Sequence, residues 1–390
     1  MRSARAARSA REGIAPTPSP PIPAPSAPSA PAALADPVPD GPAPADPLER
    51  TLTLLREELE RRCPADATGV DAMSRSALLP PGKLLRPLLF TESAAALGLP
   101  RAHALGPALG IESLHSGSLV HDDVIDGDEL RRGRPTVVAR HGVPNAIVTG
   151  DALIIDAFRA VAGDSDDAGN ADGTGRAADV DTADVDHPVP DDRRLAVVRV
   201  LAEAGVDLCR GQALEDELRA WPGCGLERYL KMIALKTGAL FRAACVGGAL
   251  LAGGPPTARE ALRRYAEHLG RAFQMADDLL PYLSDDTTSG KPVLSDLANS
   301  RPTLPVLLCW QWADERDRRR LTEALDGTVP PEEALRTVRT LLTATGALEL
   351  ARADALAESA RAKAALLDLP AGEARSALAA VADLAADRNL

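Results

Sequence analysis

The sequence has few aromatic residues, few cysteines and no excess of positive charge. Phe, Trp and Tyr together make up 3% of the 390 residues, so a core must be built from aliphatic side chains such as Ala, Leu and Val. The formal net charge of −12 and the lack of a basic stripe argue against nucleic acid as the main partner. The five cysteines have no C-x-x-C spacing, which favours reduced thiols in a cytosolic protein over a disulfide framework.

Long apolar runs are also absent. No stretch approaches the roughly 20 apolar residues that a membrane-spanning helix needs. The basic residues near the start of the chain are not followed by the apolar region of a secretory signal. We therefore expect a soluble, cytoplasmic protein without a transmembrane segment.

The chain lacks the alternating pattern of β-strands joined by hairpin turns. Apolar residues instead recur at helical spacing, beginning with LERTLTLLREELERR at residues 48–62. Asp46 and Pro47 fit a helix cap followed by a proline in the first turn. These patterns predict an all-α domain over residues 48–390.

Two segments depart from the helical pattern. Residues 1–47 are rich in Pro, Ala and Ser, with too little large apolar surface to offset the entropy of ordering, so we expect a disordered tail. Two interpretations of this tail remain open: a segment without a selected function, or a tether or docking tag for another protein or a compartment. At about residues 163–192, many Asp residues lie among Gly and Ala without the Gly and Glu of a calcium loop, which predicts a disordered acidic insert.

A first acidic cluster, Asp122, Asp123 and Asp126, ends a largely apolar run and is followed by Arg131 and Arg132. On a helix, Asp122 and Asp126 share a face and repel each other unless a cation neutralises them. Mg²⁺ suits that position, because it takes carboxylate oxygens and shares itself with substrate phosphates. Guanidinium groups nearby favour a polyanionic substrate. A solvated charged loop is the alternative for this cluster taken alone.

A second acidic cluster consists of Gln274, Asp277 and Asp278. Their spacing lets all three share one face of a helix. Two acidic clusters on separate helices can face each other across a cavity, as in the metal sites of helical bundles. The second cluster therefore favours a metal site over a solvated loop.

These clusters belong to a series of motifs that resembles the trans-isoprenyl diphosphate synthases, the polyprenyl synthetase family. The motifs occur in the family's order: GKLLRP at 82–87, H-x-x-x-x-x-H-D-D-x-x-D at 115–126, LRRGRPT at 130–136, GDAL at 150–153, GQALE at 211–215, KTGALF at 236–241, Q-x-x-D-D at 274–278 and GKP at 290–292. Each motif is weak alone, but the ordered series is specific and covers residues 48–390 apart from the acidic insert. The resemblance implies an isoprenoid synthase helical bundle around a central cavity, usually a homodimer, that condenses an allylic diphosphate with isopentenyl diphosphate.

The resemblance also implies a role for individual residues. Asp122 and Asp126 would hold two Mg²⁺ ions on the allylic diphosphate and Asp277 a third, with Asp123 and Asp278 in support.

The other implied roles concern the substrates. Arg131 would contact the allylic diphosphate. The diphosphate of isopentenyl diphosphate would be bound by Lys83, Arg86, His115 and Arg132. The leaving diphosphate and the face of the allylic cation would be held by Lys236, Thr237, Gln274 and Lys291.

The second cluster departs from the family pattern at Pro281, where a third Asp is usual. Proline clashes with the carbonyl of Asp277 four residues earlier and disfavours helix at Leu280. We expect the helix to kink or end beside the proposed third metal ligand. A weakened enzyme, or one that needs a partner subunit, is the alternative that this proline keeps open.

Product length in this family depends on bulk just before the first cluster, where Gly117 and Ser118 stand. Both residues are expected to face down the cavity, and their small size predicts a geranylgeranyl or longer product. A farnesyl or a longer polyprenyl product is the alternative.

Two other functions compete with this one. A terpene cyclase of the same fold would carry an N-D-x-x-S-type second motif and would lack Lys83, Arg86 and His115, so it is disfavoured. A non-catalytic partner or cargo protein would act through residues 1–47, which resemble the cargo-loading segments of prenyltransferases packaged in bacterial protein shells. That role can coexist with catalysis and makes a protein compartment a candidate location.

Overall fold

The computed structural model describes residues 47–163, 188–218, 223, 225–283 and 303–386. Nearly all of the predicted tail, most of the predicted acidic insert and Lys291 lie outside the described residues. Within the described part, every element is helical except one pairing of two very short strands. The predicted all-α fold is confirmed.

The first part of the fold, up to the acidic insert, contains five helices and the strand pair. Its elements are α1 Pro47–Arg62, α2 Gly69–Leu78, α3 Leu85–Ala95, α4 Arg101–Asp126, β1 Leu130–Arg131, β2 Arg134–Pro135 and α5 Val137–Ala162. The two strands form an antiparallel hairpin in which Leu130 lies opposite Pro135 and Arg131 opposite Arg134.

The described residues after the insert are helical. These helices are α6 Asp191–Leu218, α7 Leu226–Lys236, α8 Gly238–Leu251, α9 Pro256–Asp277, α10 Leu280–Leu283, α11 Leu304–Trp312, α12 Glu315–Leu325, α13 Pro331–Ala344, α14 Ala347–Ala365 and α15 Glu373–Ala386, with a 3-10 turn at Leu366–Asp368. Helix α6 begins at Asp191, so the last two residues of the predicted insert are helical.

Helix α8 lies at the centre of the bundle. Its sequence, GALFRAACVGGALL, is apolar or small on nearly every side, and it packs against α3, α4, α6 and α9. A helix that is apolar all round must be surrounded by other elements to escape water. The surrounding helices therefore form one continuous apolar cluster with α8 at its middle.

A second apolar cluster is built from the ends of α6 and α9 together with α7 and α10 to α14. Helix α9 joins the two clusters, since Leu262 and Leu269 belong to the first and Met275 to the second. The carboxyl ends of α4 and α9 carry the two acidic clusters, Asp122–Asp126 and Gln274–Asp278.

Helices α7 and α8 meet at a bend of 47° between Lys236 and Gly238. No single helix in the described ranges is long and apolar enough to cross a membrane. The bent pair reaches that length and composition jointly, but α8 is the buried centre of the bundle. The apolar character of this pair is explained by its place in the core.

Candidate active site

One cavity of about 570 Å³ brings most of the predicted site residues together. Those that line it are Lys83, Arg86, His115, Ser118, Asp122, Arg131, Arg132, Lys236, Thr237, Gln274 and Asp277. Gly117, Asp123, Asp126 and Asp278 are not among the described residues that line the cavity. The predicted residue Lys291 lies outside the described part of the chain.

The first acidic cluster occupies the last turn of α4, which ends because Gly127 takes a left-handed conformation with φ of 69°. Burial raises the pKa of Asp122, and the nearby Lys236 opposes that rise. The charges of Asp126, one turn further along, and of Glu215 raise the pKa of Asp122 again. Asp122 is thus a carboxylate that a bound cation would stabilise.

Asp123 points away from Asp122 and is only 3% exposed. Its Oδ1 atom lies 2.7 Å from Nε and 2.7 Å from Nη2 of Arg131. Burial raises the pKa of Asp123, and Arg131 lowers it. Asp123 therefore holds Arg131 against the cavity wall by a charge-assisted pair.

The basic side of the cavity is made by two loops, the segment before α3 and the β1–β2 hairpin. Leu84 and Arg132 adopt left-handed backbone conformations with φ of 49° and 52°. Non-glycine residues rarely take these angles, and such strain is common at functional sites. The two backbone conformations present Lys83 and Arg132 to the same cavity.

The two loops are also joined to each other. A Cβ atom on Gly82 would lie 2.5 Å from Nη1 of Arg132, so a larger residue at position 82 would displace that guanidinium. Nη1 of Arg134 donates a hydrogen bond to the carbonyl oxygen of Leu79 at 2.9 Å. The hairpin is thereby tied to the loop that carries Lys83 and precedes Arg86.

His115 and Glu112 lie on the same face of α4 and line the cavity. Burial lowers the pKa of His115 well below its usual value, and Arg86 and Arg132 lower it further. Glu112 is 6% exposed, and burial raises its pKa while the same two arginines lower it. The sequence reasoning missed Glu112, although its position three residues before His115 marks the same helix face.

Arg86 is fixed from another direction by aromatic packing. Its guanidinium carbon lies 5.0 Å from the ring centre of Phe241, a cation–π contact. The ring of Phe241 in turn lies 5.2 Å from that of Phe273, which lines the cavity.

Lys236 ends α7 and is held by a second carboxylate that the sequence reasoning left without a role. Nζ of Lys236 lies 2.6 Å from Oε2 of Glu215, which is 7% exposed. Glu215 belongs to the GQALE motif, which contributed to the family resemblance without indicating a chemical role for this glutamate. The pair directs the lysine toward the cavity beside Asp122.

In the second acidic cluster, as in the first, one aspartate lines the cavity and the next one is buried in the protein. Asp277 lines the cavity, whereas Asp278 is 7% exposed and bonded within the protein. Its Oδ2 atom accepts hydrogen bonds from Oη of Tyr229 at 2.7 Å and from the backbone N–H of Leu304 at 2.8 Å. Its Oδ1 atom accepts from Nε2 of Gln274 at 2.9 Å.

Burial raises the pKa of Asp278 to about 7, although the hydrogen bonds from Tyr229, Gln274 and Leu304 lower it, and Asp277 adds to the rise. Gln274 continues the network, since its Oε1 atom accepts a hydrogen bond of 2.7 Å from Oγ1 of Thr237. Asp278 is thus connected to two residues of the cavity wall, Gln274 and Thr237.

The expected effect of Pro281 is confirmed. Helix α9 ends at Asp277, and Pro281 lies in a separate short helix, α10, after the turn at Asp278. The carbonyl oxygen of Pro281 accepts a hydrogen bond from Nη2 of Arg339 at 3.1 Å. Asp277 is consequently the last residue of α9, and the chain turns at Asp278 before α10 begins at Leu280.

The orientation expected for Gly117 is wrong. A Cβ atom there would lie 2.8 Å from the carbonyl oxygen of Gly150 and 3.1 Å from Cβ of Leu153, so the residue faces α5. Gly117 allows α4 and α5 to approach closely, and it does not face the cavity. Ser118 does line the cavity, and its hydroxyl donates to the carbonyl oxygen of His115 at 2.8 Å.

The donor set fits a hard divalent cation. Among the described residues, no three His, Cys, Asp or Glu side chains form a group that could hold a metal. Mg²⁺ needs only one or two protein carboxylates and takes its other ligands from water and substrate phosphates. Asp122 and Asp126 on α4, and Asp277 on α9, offer such carboxylates beside a basic cavity.

Comparison with known proteins identifies the family of the chain. Residues 68–342 match the family model described as polyprenyl synthetase. The chain is 38% identical over 310 residues to a short chain isoprenyl diphosphate synthase of Methanothermobacter thermautotrophicus, covering 79% of this chain and 87% of that protein. It is 34% identical over 322 residues, 82% of this chain and 89% of that protein, to an all-trans-nonaprenyl-diphosphate synthase (geranyl-diphosphate specific) of Rhodobacter capsulatus. The crystal structure of a geranylgeranyl pyrophosphate synthetase from Pyrococcus horikoshii matches with a TM-score of 0.75 and 31% identity, covering 88% of this chain and 98% of that one.

Proposed function

Because the chain belongs to the polyprenyl synthetase family of prenyltransferases, we propose that it condenses isopentenyl diphosphate with an allylic diphosphate, and that geranylgeranyl diphosphate is its main product. The observation that carries the proposal is one cavity that both acidic and basic side chains line. Asp122 and Asp277 line one part of it, and Lys83, Arg86 and Arg132 line another. Two diphosphate substrates need both kinds of surface side by side.

The acidic residues suit the allylic diphosphate. Asp122, Asp126 and Asp277 would hold Mg²⁺, three ions by the family pattern. When bound, Mg²⁺ would neutralise negative charge on the diphosphate as the carbon–oxygen bond breaks. Arg131 and Lys236 add fixed positive charge for the leaving diphosphate.

Preorganisation of these cations is what the protein contributes to bond breaking. Asp123 holds Arg131 and Glu215 holds Lys236 before substrate arrives. Charged donors that are already aimed at a developing anion stabilise the transition state without further reorganisation.

The basic wall suits isopentenyl diphosphate. Lys83, Arg86 and Arg132 would bind its diphosphate, and the neutral ring of His115 would add a hydrogen bond. The double bond then attacks the allylic cation, and a proton leaves to the departing diphosphate. Thr237 and Gln274 lie beside the cation in this scheme and present their polar atoms to it.

Water must be kept from the cation during this step. Leu119, Leu208, Leu240 and Phe273 supply apolar surface to the cavity. An apolar wall suppresses the hydrolysis of a reactive intermediate.

The test is incubation with Mg²⁺, isopentenyl diphosphate and allylic primers of each length, followed by sizing of the products. We expect condensation, with products of geranylgeranyl length predominating. A farnesyl or a longer polyprenyl product would contradict the proposed product length but would still support the condensation reaction. No condensation with any primer would overturn the proposal and favour a non-catalytic role.

A homodimer is part of the proposal. Helix α5 exposes Val143, Ile147, Val148 and Ile155, the last at 67% of its surface. An apolar face of this kind suits a second copy of the chain. Light scattering should give a dimer mass for the wild type and a monomer mass for Ile155→Asp. Leu384→Asp, an exposed leucine on α15, is the control and should remain dimeric.

A docking role for the tail is a second candidate, which composition alone supports, and it adds a cytoplasmic protein shell as a possible destination. Removing residues 1–47 separates it from catalysis. Turnover should persist in the shortened protein while any co-purifying shell protein or other partner is lost. Retention of such a partner after the deletion would contradict the docking role.

A further inference from the structure

Tyr229 is a fully buried residue of α7 that does not line the cavity. Its side chain is 0% exposed, and its Oη atom donates a hydrogen bond of 2.7 Å to Oδ2 of Asp278 on α9. A buried hydrogen bond from a phenol to a carboxylate is stronger than the same bond in water. The bond therefore joins two helices at the base of the second acidic cluster.

Asp278 receives further donors from two other places in the fold. The backbone N–H of Leu304 belongs to the first residue of α11, and Nε2 of Gln274 comes from the preceding turn of α9. Asp278 is thus a junction for α7, α9 and α11. Gln274, held by this junction, accepts a hydrogen bond from Thr237 in turn.

The junction stands at the end of α9. Asp277 is the last residue of α9, and Asp278 begins the turn that leads into α10. In that turn the backbone N–H of Asp278 donates to the carbonyl oxygen of Gln274 at 2.9 Å, and that of Leu279 donates to the carbonyl oxygen of Ala276 at 3.2 Å. The side-chain hydrogen bonds of Asp278 add to these backbone bonds at the point where the regular helix ends. Fixing the side chain of Asp278 therefore fixes the backbone that orients Asp277.

We propose that Tyr229 is a positioning residue for prenyl transfer, which through Asp278 holds Asp277 and Gln274 in place along the cavity wall. The inference rests on the proposed function, since Asp277 is a metal ligand only in that scheme. Tyr229 touches neither substrate nor metal. Its loss should raise the Mg²⁺ requirement or lower the rate, and should leave unchanged the binding of isopentenyl diphosphate by Lys83, Arg86 and Arg132.

The test compares Tyr229→Phe with Tyr265→Phe. Tyr265 is also 0% exposed, and its Oη donates a hydrogen bond of the same 2.7 Å length, to the carbonyl oxygen of Leu378 away from the cavity. Each variant loses one buried hydroxyl, so a purely structural role predicts equal effects on both. The melting temperature, kcat, the KM for isopentenyl diphosphate and the Mg²⁺ concentration for half-maximal rate are measured for both variants and the wild type.

We expect Tyr229→Phe to lower kcat or raise the Mg²⁺ requirement by about 10-fold or more, as outer partners of metal ligands do. The KM for isopentenyl diphosphate should stay within about 2-fold of the wild-type value, because the residues proposed to bind this substrate are unchanged. Tyr265→Phe should keep all three kinetic values near those of the wild type. Equal kinetics in the two variants, or a loss in Tyr229→Phe seen only as a higher KM for isopentenyl diphosphate, would overturn the proposal.

If Tyr229→Phe does not fold, Asp278→Asn tests the same junction, because an amide cannot accept all three hydrogen bonds. A wild-type Mg²⁺ dependence in that variant would also overturn the proposal. The kinetics of both variants are compared with those of an active wild-type protein. An inactive wild type would instead mean that the proposed function itself has failed.

Discussion

The two acidic clusters are built from the same residue type, yet the protein supports them in different ways. In each cluster one aspartate lines the cavity, Asp122 or Asp277, and the next one turns inward. Asp123 pairs with a cation, Arg131, that itself lines the cavity. Asp278 is bonded by uncharged donors from three helices.

This difference teaches what each inward aspartate is for. On α4 the helix continues to Asp126, and Asp123 is available to place Arg131, the arginine that we propose contacts the allylic diphosphate. On α9 the helix stops at Asp277, and the side chain of Asp278 adds hydrogen bonds from Tyr229, Gln274 and Leu304 at the turn that leads into α10. The inward aspartate of the first cluster therefore places a cation at the cavity, and that of the second cluster joins helices α7, α9 and α11.

The largest effects are expected from the two cavity-lining aspartates, for which the clusters should behave alike. Asp122→Ala and Asp277→Ala should each lower kcat/KM by about 10³-fold, because each removes a carboxylate that holds the charge-neutralising metal. Steady-state kinetics at saturating Mg²⁺ measures the loss. Asp66→Ala, an exposed residue between α1 and α2, is the control and should be unchanged. A loss under about 10-fold in either variant would show that its cluster does not hold the metal.

The inward aspartate of the first cluster gives the next largest effect. Asp123→Asn should raise the KM for the allylic substrate about 10-fold or more, since Arg131 loses its charged partner and is left misplaced. Asp128→Asn is the matched control, because Asp128 contacts the same arginine at only 3.9 Å and is half-exposed. Similar KM values in the two variants would show that Asp123 does not position Arg131 for the substrate.

Product length tests the two faces of α4. Ser118→Phe should shorten the products by about one isoprene unit, because the residue lines the cavity beside Asp122. Gly117→Phe should instead lower the melting temperature, since its side chain would meet the backbone of α5 at Gly150. Gas chromatography of the dephosphorylated products and thermal scans separate the two outcomes. A shorter product from a stably folded Gly117→Phe would restore the original expectation for that position.

The smallest effect is a pH dependence on the α4 side, measured without substrates. Burial and the nearby arginines lower the pKa of His115 in the folded state, so below about pH 6.5 only the unfolded chain takes up this proton. The free energy of unfolding should therefore decrease as the pH is lowered below about 6.5. This residue contributes up to about 1.4 kcal/mol per pH unit to that decrease. Urea unfolding at pH 7.5 and pH 5.5 should show a shallower fall for His115→Gln than for His141→Gln, which alters an exposed histidine. Identical slopes would show that His115 does not carry the dependence.

Much of the site could be predicted from the sequence, because its motifs are short and lie at helix ends. Proline chemistry correctly predicted that α9 ends beside Asp277. The error at Gly117 was also visible in principle. At about 100° per residue, a position five residues before Asp122 lies about 140° away from it around the helix, whereas Ser118 lies about 40° away.

Three supporting residues could not be found in this way. Glu112 and Glu215 gain their roles from arginines and a lysine on other elements, and Tyr229 from a carboxylate 49 residues further along the chain. The spacing of Glu112 to His115 and the GQALE motif around Glu215 mark two of these positions without identifying their partners. Their chemistry is created by packing.

The sequence by itself determined the helices, the points at which they end, and the charges gathered at those ends. Helical hydrogen bonds join residues only four apart, so local sequence is sufficient for these features. The tertiary structure alone decided which aspartate of each pair faces the cavity and which one supports it. That choice depends on partners such as the N–H of Leu304, 26 residues from Asp278, which only the packed bundle brings within hydrogen-bonding distance.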